Sequence, residues 1–223
     1  MPHAISSLSA ADEYDRQYHA WAERQGPRAL DREWRMTHLL WRQRALLRRY
    51  PPEGKRVLDF GCMDGIFTIM LQKLGGEAVG YDISPAAITQ AKAFRADAAR
   101  PVFTNVPPGP GQFDWIYCNE VIEHVTDDSA LVGELVGYLR TGGSVVGTTP
   151  VGQYFWDPDH KHFYDEEVLK RALSPWGRVR VHRYYRSPLR NFVPIRQKGA
   201  SVFIFQVTPR SPTAPPGSRP WGS

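Results

Sequence analysis

Glu120, Glu123 and His124 follow the apolar run FDWIYCN in the pattern E-x-x-E-H. Three- and four-residue spacings of this kind bring side chains to one side of a helical turn. Two carboxylates and an imidazole converging there would suit a hard divalent cation such as Mg²⁺. A neutral His124 could instead accept a proton from a hydroxyl nucleophile. The competing structural reading has the acids solvating a helix start and the imidazole packed beside it. Two further imidazoles, His160 and His162 in DPDHKHFYDEEVL, stand behind His124 as base or ligand, or are incidental to a surface loop. The acids that begin at Asp165 read most simply as the first turn of a helix.

A second constellation lies upstream in VLDFGCMDG, which carries Asp59, Gly61 and Gly65. Glycines between a strand and a helix let backbone approach a ligand, and the helix start offers free N–H groups. Some seventeen residues later GYDIS ends in Asp82, placed to accept from a ribose diol. Strand, glycine turn, helix, strand and acid in that order favour an adenosine cofactor over a purely structural turn. The spacing is G-x-x-x-G with Met63 between, whereas a pyrophosphate-bearing dinucleotide calls for G-x-G-x-x-G.

Both constellations need a scaffold. Apolar and aromatic residues at helical spacing over 10–50, broken at Gly26-Pro27, predict two helices. The pattern then alternates: strand 56–61, helix 65–74, strand 77–82, helix 85–94, strand 101–105, strand 113–118, helix 127–140 and strand 143–149. That is a βαβ arrangement, an α/β fold with a mainly parallel sheet and helices on both faces. After Pro150 come the aromatic loop 154–164, a helix over 165–173 and strands at 178–186 and 201–208. Two strands with only the connection 187–199 between them imply an antiparallel hairpin at the sheet edge. The expected organisation is an N-terminal helical cap over 1–50, a core over 51–208 and a disordered Pro-rich tail over 209–223.

Taken together, VLDFGCMDG, GYDIS, FDWIYCNEVIEHV and LRTGGSVVGTTP resemble the class I S-adenosylmethionine-dependent methyltransferases over about residues 35–175. The nearest group is similar to the ubiquinone-biosynthesis O-methyltransferases. The resemblance implies a Rossmann-like, seven-stranded, mostly parallel sheet with S-adenosyl-L-methionine as cofactor. It implies that Asp59, Gly61 and Gly65 shape the pocket for the methionine part, Asp82 holds the ribose, Ile83 packs on adenine and Asn119 lines the cofactor. Arg42 matches an arginine that meets the cofactor carboxylate in that group. For the acid that contacts adenine after the third strand, Asp97 and Asn105 compete. A similar E-x-x-E-H in the ubiquinone-type and small-RNA 2′-O-methyltransferases implies Glu120, Glu123 and His124 as divalent-metal ligands, completed in the RNA enzymes by a downstream histidine. Met63 replaces the family's usual glycine.

The expected function is methyl transfer to a hydroxyl of a small molecule: a sugar, a phenol or a natural-product-like acceptor. RNA 2′-O-methylation and noncatalytic cofactor binding are the alternatives, and amino-sugar N-methylation would dispense with the metal. Length and composition agree: 223 residues with 42% hydrophobic and 23% charged suit one large domain. Charge is uneven, with eleven basic against seven acidic residues in 1–56, five against eleven in 57–150 and twelve against five in 151–223. Basic flanks would steer an anionic acceptor. Nucleic acid is the weaker partner class, because so short a chain has no dedicated RNA-binding domain. Cys62 and Cys118 sit in apolar runs, and no signal or membrane-span pattern is present, so a cytoplasmic protein is expected. The N-terminal helices could form a lid or a homodimer contact.

Overall fold

The computed structural model describes residues 3–95, 100–153, 157, 159–186 and 201–210, with side chains from Ala10 onward. Asp97, the loop residues Tyr154, Phe155 and Trp156, the connection 187–199 and the tail beyond Arg210 lie outside the described residues. Seven strands form one sheet in the order β3-β2-β1-β4-β5-β7-β6, made of β1 (Arg56–Phe60), β2 (Glu77–Tyr81), β3 (Val102–Thr104), β4 (Phe113–Asn119), β5 (Leu139–Pro150), β6 (Arg178–Tyr185) and β7 (Ser201–Thr208). The expected Rossmann-like α/β architecture is present, down to the antiparallel edge. The chain divides into two compact units, residues 1–40 with 51–107, and residues 41–50 with 108–223. Residues 1–50, expected as one helical cap, are thus shared between them.

The first unit holds α1 (His3–Gln25), a 3-10 turn (Gly26–Ala29), α2 (Arg32–Thr37), α4 (Ile66–Lys73), α5 (Pro85–Phe94) and strands β1 to β3; α3 (Trp41–Arg49) belongs to the second. The predicted pair of helices is three helices and a turn, because Asp31 caps a new helix after Gly26-Pro27 and the chain leaves helical structure again over residues 38–40 before α3. β1 pairs in parallel with β2, and β2 with β3. Cys62, Ile66, Ile69, Ile88, Ala91, Phe94 and Phe103 form a buried cluster under the glycine turn. A Cβ on Gly65 would stand 2.6 Å from Phe103 and 2.7 Å from Ala91, and its φ is +75°. Only glycine serves there.

The second unit adds α6 (Asp128–Tyr138) and α7 (Glu166–Leu173) to strands β4 to β7. Asp127 and Asp165 cap these helices, each accepting a backbone N–H at 2.8 Å, from Ala130 and Val168. β5 starts at Leu139, four residues earlier than expected. Leu139 pairs with Phe113 across a register shift, where Gly142 takes φ +83° and lets the strand continue through the glycine pair. β7 runs antiparallel between β5 and β6, in register from Val145↔Val207 to Pro150↔Val202. Tyr117 is fully buried and donates its hydroxyl to the Tyr50 carbonyl at 2.6 Å, which fixes the end of α3.

Candidate active site

The glycine turn leaves β1 with Gly61 and Cys62 donating N–H to the Tyr81 carbonyl at 2.8 and 3.0 Å. Asp82 then lies beside the turn: its Oδ2 accepts from Met63 N–H at 2.8 Å and its Oδ1 from Ser84 N–H at 2.9 Å. Met63 reaches this position with φ +47°, the left-handed backbone a glycine would supply freely. Burial raises the Asp82 pKa, and the two N–H donors oppose that rise. Each carboxylate oxygen keeps a lone-pair direction for a hydroxyl donor. Ile83 is half-buried next to it.

Asp59 sits beneath the turn, 2% exposed, with Oδ2 accepting from Thr68 Oγ1 at 2.6 Å. Burial is the main reason its pKa is pushed up to about 7. Asp64 closes the turn on the other side, its Oδ2 2.7 Å from Arg35 Nε while the guanidinium lies over the Trp21 ring. From α1, the Asp15 carboxylate accepts from the Ser84 hydroxyl and from Ala86 N–H. Burial, with the nearby charges of Asp64 and Asp82, pushes the Tyr18 phenol up to about 12. Asp15, Arg35 and Asp64 were not singled out from the sequence. Asp64 stood in the motif, but its arginine partner is 29 residues away and carries no local signal.

In the second unit, Glu123, His124 and His160 each offer a ligand atom within 4.8 Å of the others. β5 aims the first of them: Thr149 Oγ1 donates to Glu123 Oε2 at 3.1 Å. Glu123 is 1% exposed and its Oε1 has no hydrogen-bond partner among the described residues. An unpartnered buried carboxylate oxygen is costly, and a cation would compensate it. Burial, then the charge of Glu120, raises the Glu123 pKa well above the usual range. Burial lowers both His124 and His160, so both imidazoles favour the neutral, electron-donating form. Their rings meet edge to face at 4.7 Å. The loop bearing His160 is pinned because the N–H groups of Lys161 and His162 both donate to the Glu123 carbonyl, at 2.7 and 3.2 Å. These donors fit a divalent cation in number, chemistry and convergence.

Glu120 is turned aside. It has φ +60°, its Oε1 accepts from Thr148 Oγ1 at 2.8 Å, and its Oε2 pairs with Arg42 Nε at 3.0 Å. Asn119, opposite Thr148 in the register, shares the same hydroxyl. The structure thus places Arg42 on Glu120. His162 stands apart: its ring contacts the Thr126 carbonyl at 3.3 Å and stacks on Tyr164. Tyr164 in turn donates to Asp128 Oδ2 at 2.8 Å, a loop anchor that sequence spacing did not reveal. Asn105 is exposed.

Against known proteins, residues 28–189 match the family model described as a methyltransferase domain. The chain belongs to this methyltransferase family. The O-methyltransferases of ubiquinone biosynthesis from Xanthomonas euvesicatoria and Xanthomonas campestris are 26% and 29% identical to it over 148 and 149 residues, each 56% of this chain and 61% and 62% of theirs. The chain spans about three-fifths of the length of these curated relatives. Among solved structures, an S-adenosylmethionine-dependent methyltransferase from Archaeoglobus fulgidus superposes with TM-score 0.60 at 19% identity, covering 86% of this chain and 99% of that one. The magnesium protoporphyrin IX methyltransferase of Synechocystis, solved with bound S-adenosylmethionine, gives 0.60 at 16% identity over 90% and 96%. The fold and family are those of class I methyltransferases. No helix among the described residues is long and apolar enough to cross a membrane.

Proposed function

We propose that this methyltransferase-family chain moves a methyl group from S-adenosyl-L-methionine to a hydroxyl of a small-molecule acceptor. The observation that carries the hydroxyl reading is the Glu123, His124 and His160 cluster with its unpartnered Glu123 oxygen. S-Adenosylmethionine, when bound, supplies a methyl on a sulfonium, which leaves by in-line displacement. The protein's task is alignment, water exclusion and removal of one proton.

In this reading Asp82 holds the ribose diol, and Gly61, Met63 and Gly65 give the backbone path against which the amino-acid part lies. Ile83 packs on adenine and Asn119 lines the cofactor, while Asp59 acts from beneath through Thr68. Arg42, already paired with Glu120, serves the cofactor carboxylate only if that pairing is shared. A divalent cation held by Glu123, His124 and His160 would lower the acceptor hydroxyl pKa. Without it, neutral His124 would take the proton from the acceptor hydroxyl. Glu120 orients Arg42 and the end of β4.

Calorimetric titration with S-adenosylhomocysteine tests the cofactor half without the acceptor. Micromolar binding that is lost in Asp82→Ala is expected; no binding up to millimolar ligand would leave a noncatalytic protein. An acceptor screen with and without Mg²⁺, containing phenols, sugars, amino sugars and a short RNA, then tests the hydroxyl and the small-molecule assignments.

A further inference from the structure

The last acidic residue of the sequence is Glu167; the 56 residues after it hold nine arginines and two lysines with no aspartate or glutamate. β6 lies within this stretch and forms one outer edge of the sheet, paired only with β7 in the described sheet, from Arg178↔Thr208 to Tyr185↔Ser201. Its Arg178, Arg180, His182 and Arg183 are exposed. By the two-residue period of a strand, Arg178, Arg180 and His182 share one face and Arg183 stands on the other. α3, also without an acidic residue, adds Arg49, which lies on His182, and Trp41, which stacks on Tyr184 at 6.0 Å. Burial first, then the neighbouring charges of Arg49 and Arg180, lowers the His182 pKa, and the two arginines place positive groups beside it.

An open strand edge presents N–H and C=O groups at strand spacing, a template for another strand. Arginines along it repel a second copy of the same edge and attract carboxylates in forked geometry. Arginine beside tryptophan and tyrosine is also the composition of protein-binding hot spots. We propose that β6 with the adjoining face of α3 is a docking edge for an acidic, extended segment of a partner polypeptide, which adds as an eighth strand. Backbone pairing holds the segment to the edge, and its alternate carboxylates meet Arg178 and Arg180. The inference is independent of the acceptor.

The probe is a fluorescein-labelled Glu-Thr dodecapeptide of strict alternation, titrated with the full chain by anisotropy, beside a Glu-Pro dodecapeptide of equal charge that cannot form a ladder. The expected result is binding of the Glu-Thr peptide at least tenfold tighter than the Glu-Pro peptide, weakened at least tenfold in Arg178→Glu/Arg180→Glu. The milder Arg178→Ala/Arg180→Ala, with an unchanged thermal melt, should give a smaller loss. Hydrogen exchange should slow at β6 amides when the Glu-Thr peptide is bound. Equal binding of the two peptides, or indifference to both double variants, overturns the proposal. So does tighter binding of an oligouridylate or of anionic vesicles at the same arginines, which would make the edge a nucleic-acid or lipid surface.

Discussion

Met63 donates its backbone N–H to Oδ2 of Asp82, so the residue standing where the resembling family carries a glycine is also one of two that hold the carboxylate proposed to bind the ribose. Met63 takes the left-handed backbone that a glycine would adopt freely, at φ +47°.

Met63→Gly is therefore expected to keep S-adenosylhomocysteine affinity within a few-fold and to change stability by less than about 1 kcal/mol, since relief of left-handed strain offsets the added chain entropy. Met63→Val puts a β-branched residue at positive φ and should cost about 1–2 kcal/mol. Its affinity for S-adenosylhomocysteine should fall in parallel. Thermal melts and calorimetry on the two variants check this; equal behaviour would detach the turn from binding.

Asp59 should write a pH dependence into stability. Its folded pKa of about 7 lies above the ordinary 3.8, so the folded state binds the extra proton. Its contribution is present below about pH 4 and is lost as pH rises toward and through 7, by up to about 4 kcal/mol. Asp59→Asn removes the titration. Urea unfolding at pH 5 and pH 8 should show the wild-type advantage over the variant shrinking or reversing at the higher pH; a constant difference would place the proton elsewhere.

Glu123→Gln replaces the carboxylate proposed to hold the cation while keeping the Thr149 contact within reach. Mn²⁺ affinity, read by its paramagnetic resonance signal, should fall at least tenfold, with the melt changed little or raised because a buried acid is gone. Thr149→Val should weaken Mn²⁺ less, through lost aim alone. If the ion binds all three proteins equally, the cluster is not its site.

His124→Ala should leave S-adenosylhomocysteine affinity unchanged and lower turnover by about 10²–10⁴-fold. Because burial lowers the His124 pKa, the imidazole is already neutral at pH 7. The wild-type rate should rise with pH only below the ordinary histidine range and then level off. A rate still climbing above pH 7 would point to another base.

The succession of strands and helices along the chain and the two constellations were legible because glycine turns, acid positions and apolar runs are local signals. The β6–β7 edge was readable for the same reason, whereas Asp165, expected in the first turn of α7, is its N-cap, with Glu166 and Glu167 in the turn. What failed to show were pairings closed by the fold: Arg35 with Asp64, Arg42 with Glu120, Thr149 with Glu123. The E-x-x-E-H spacing promised three ligands on one turn. The left-handed backbone at Glu120 instead turns that acid toward Arg42 and Thr148, and His160 joins Glu123 and His124 from 36 residues away. A periodicity argument assumes regular dihedrals, which Glu120 does not have.

The tether of the His160 loop runs through the main chain, from the amides of Lys161 and His162 to the carbonyl of Glu123. Main-chain groups are common to nearly every residue, so this anchor does not constrain which side chains the loop carries. By this tether alone the side chain at position 161 can change while His160 stays in register with its partners, whereas Tyr164 holds the loop through its own hydroxyl on Asp128.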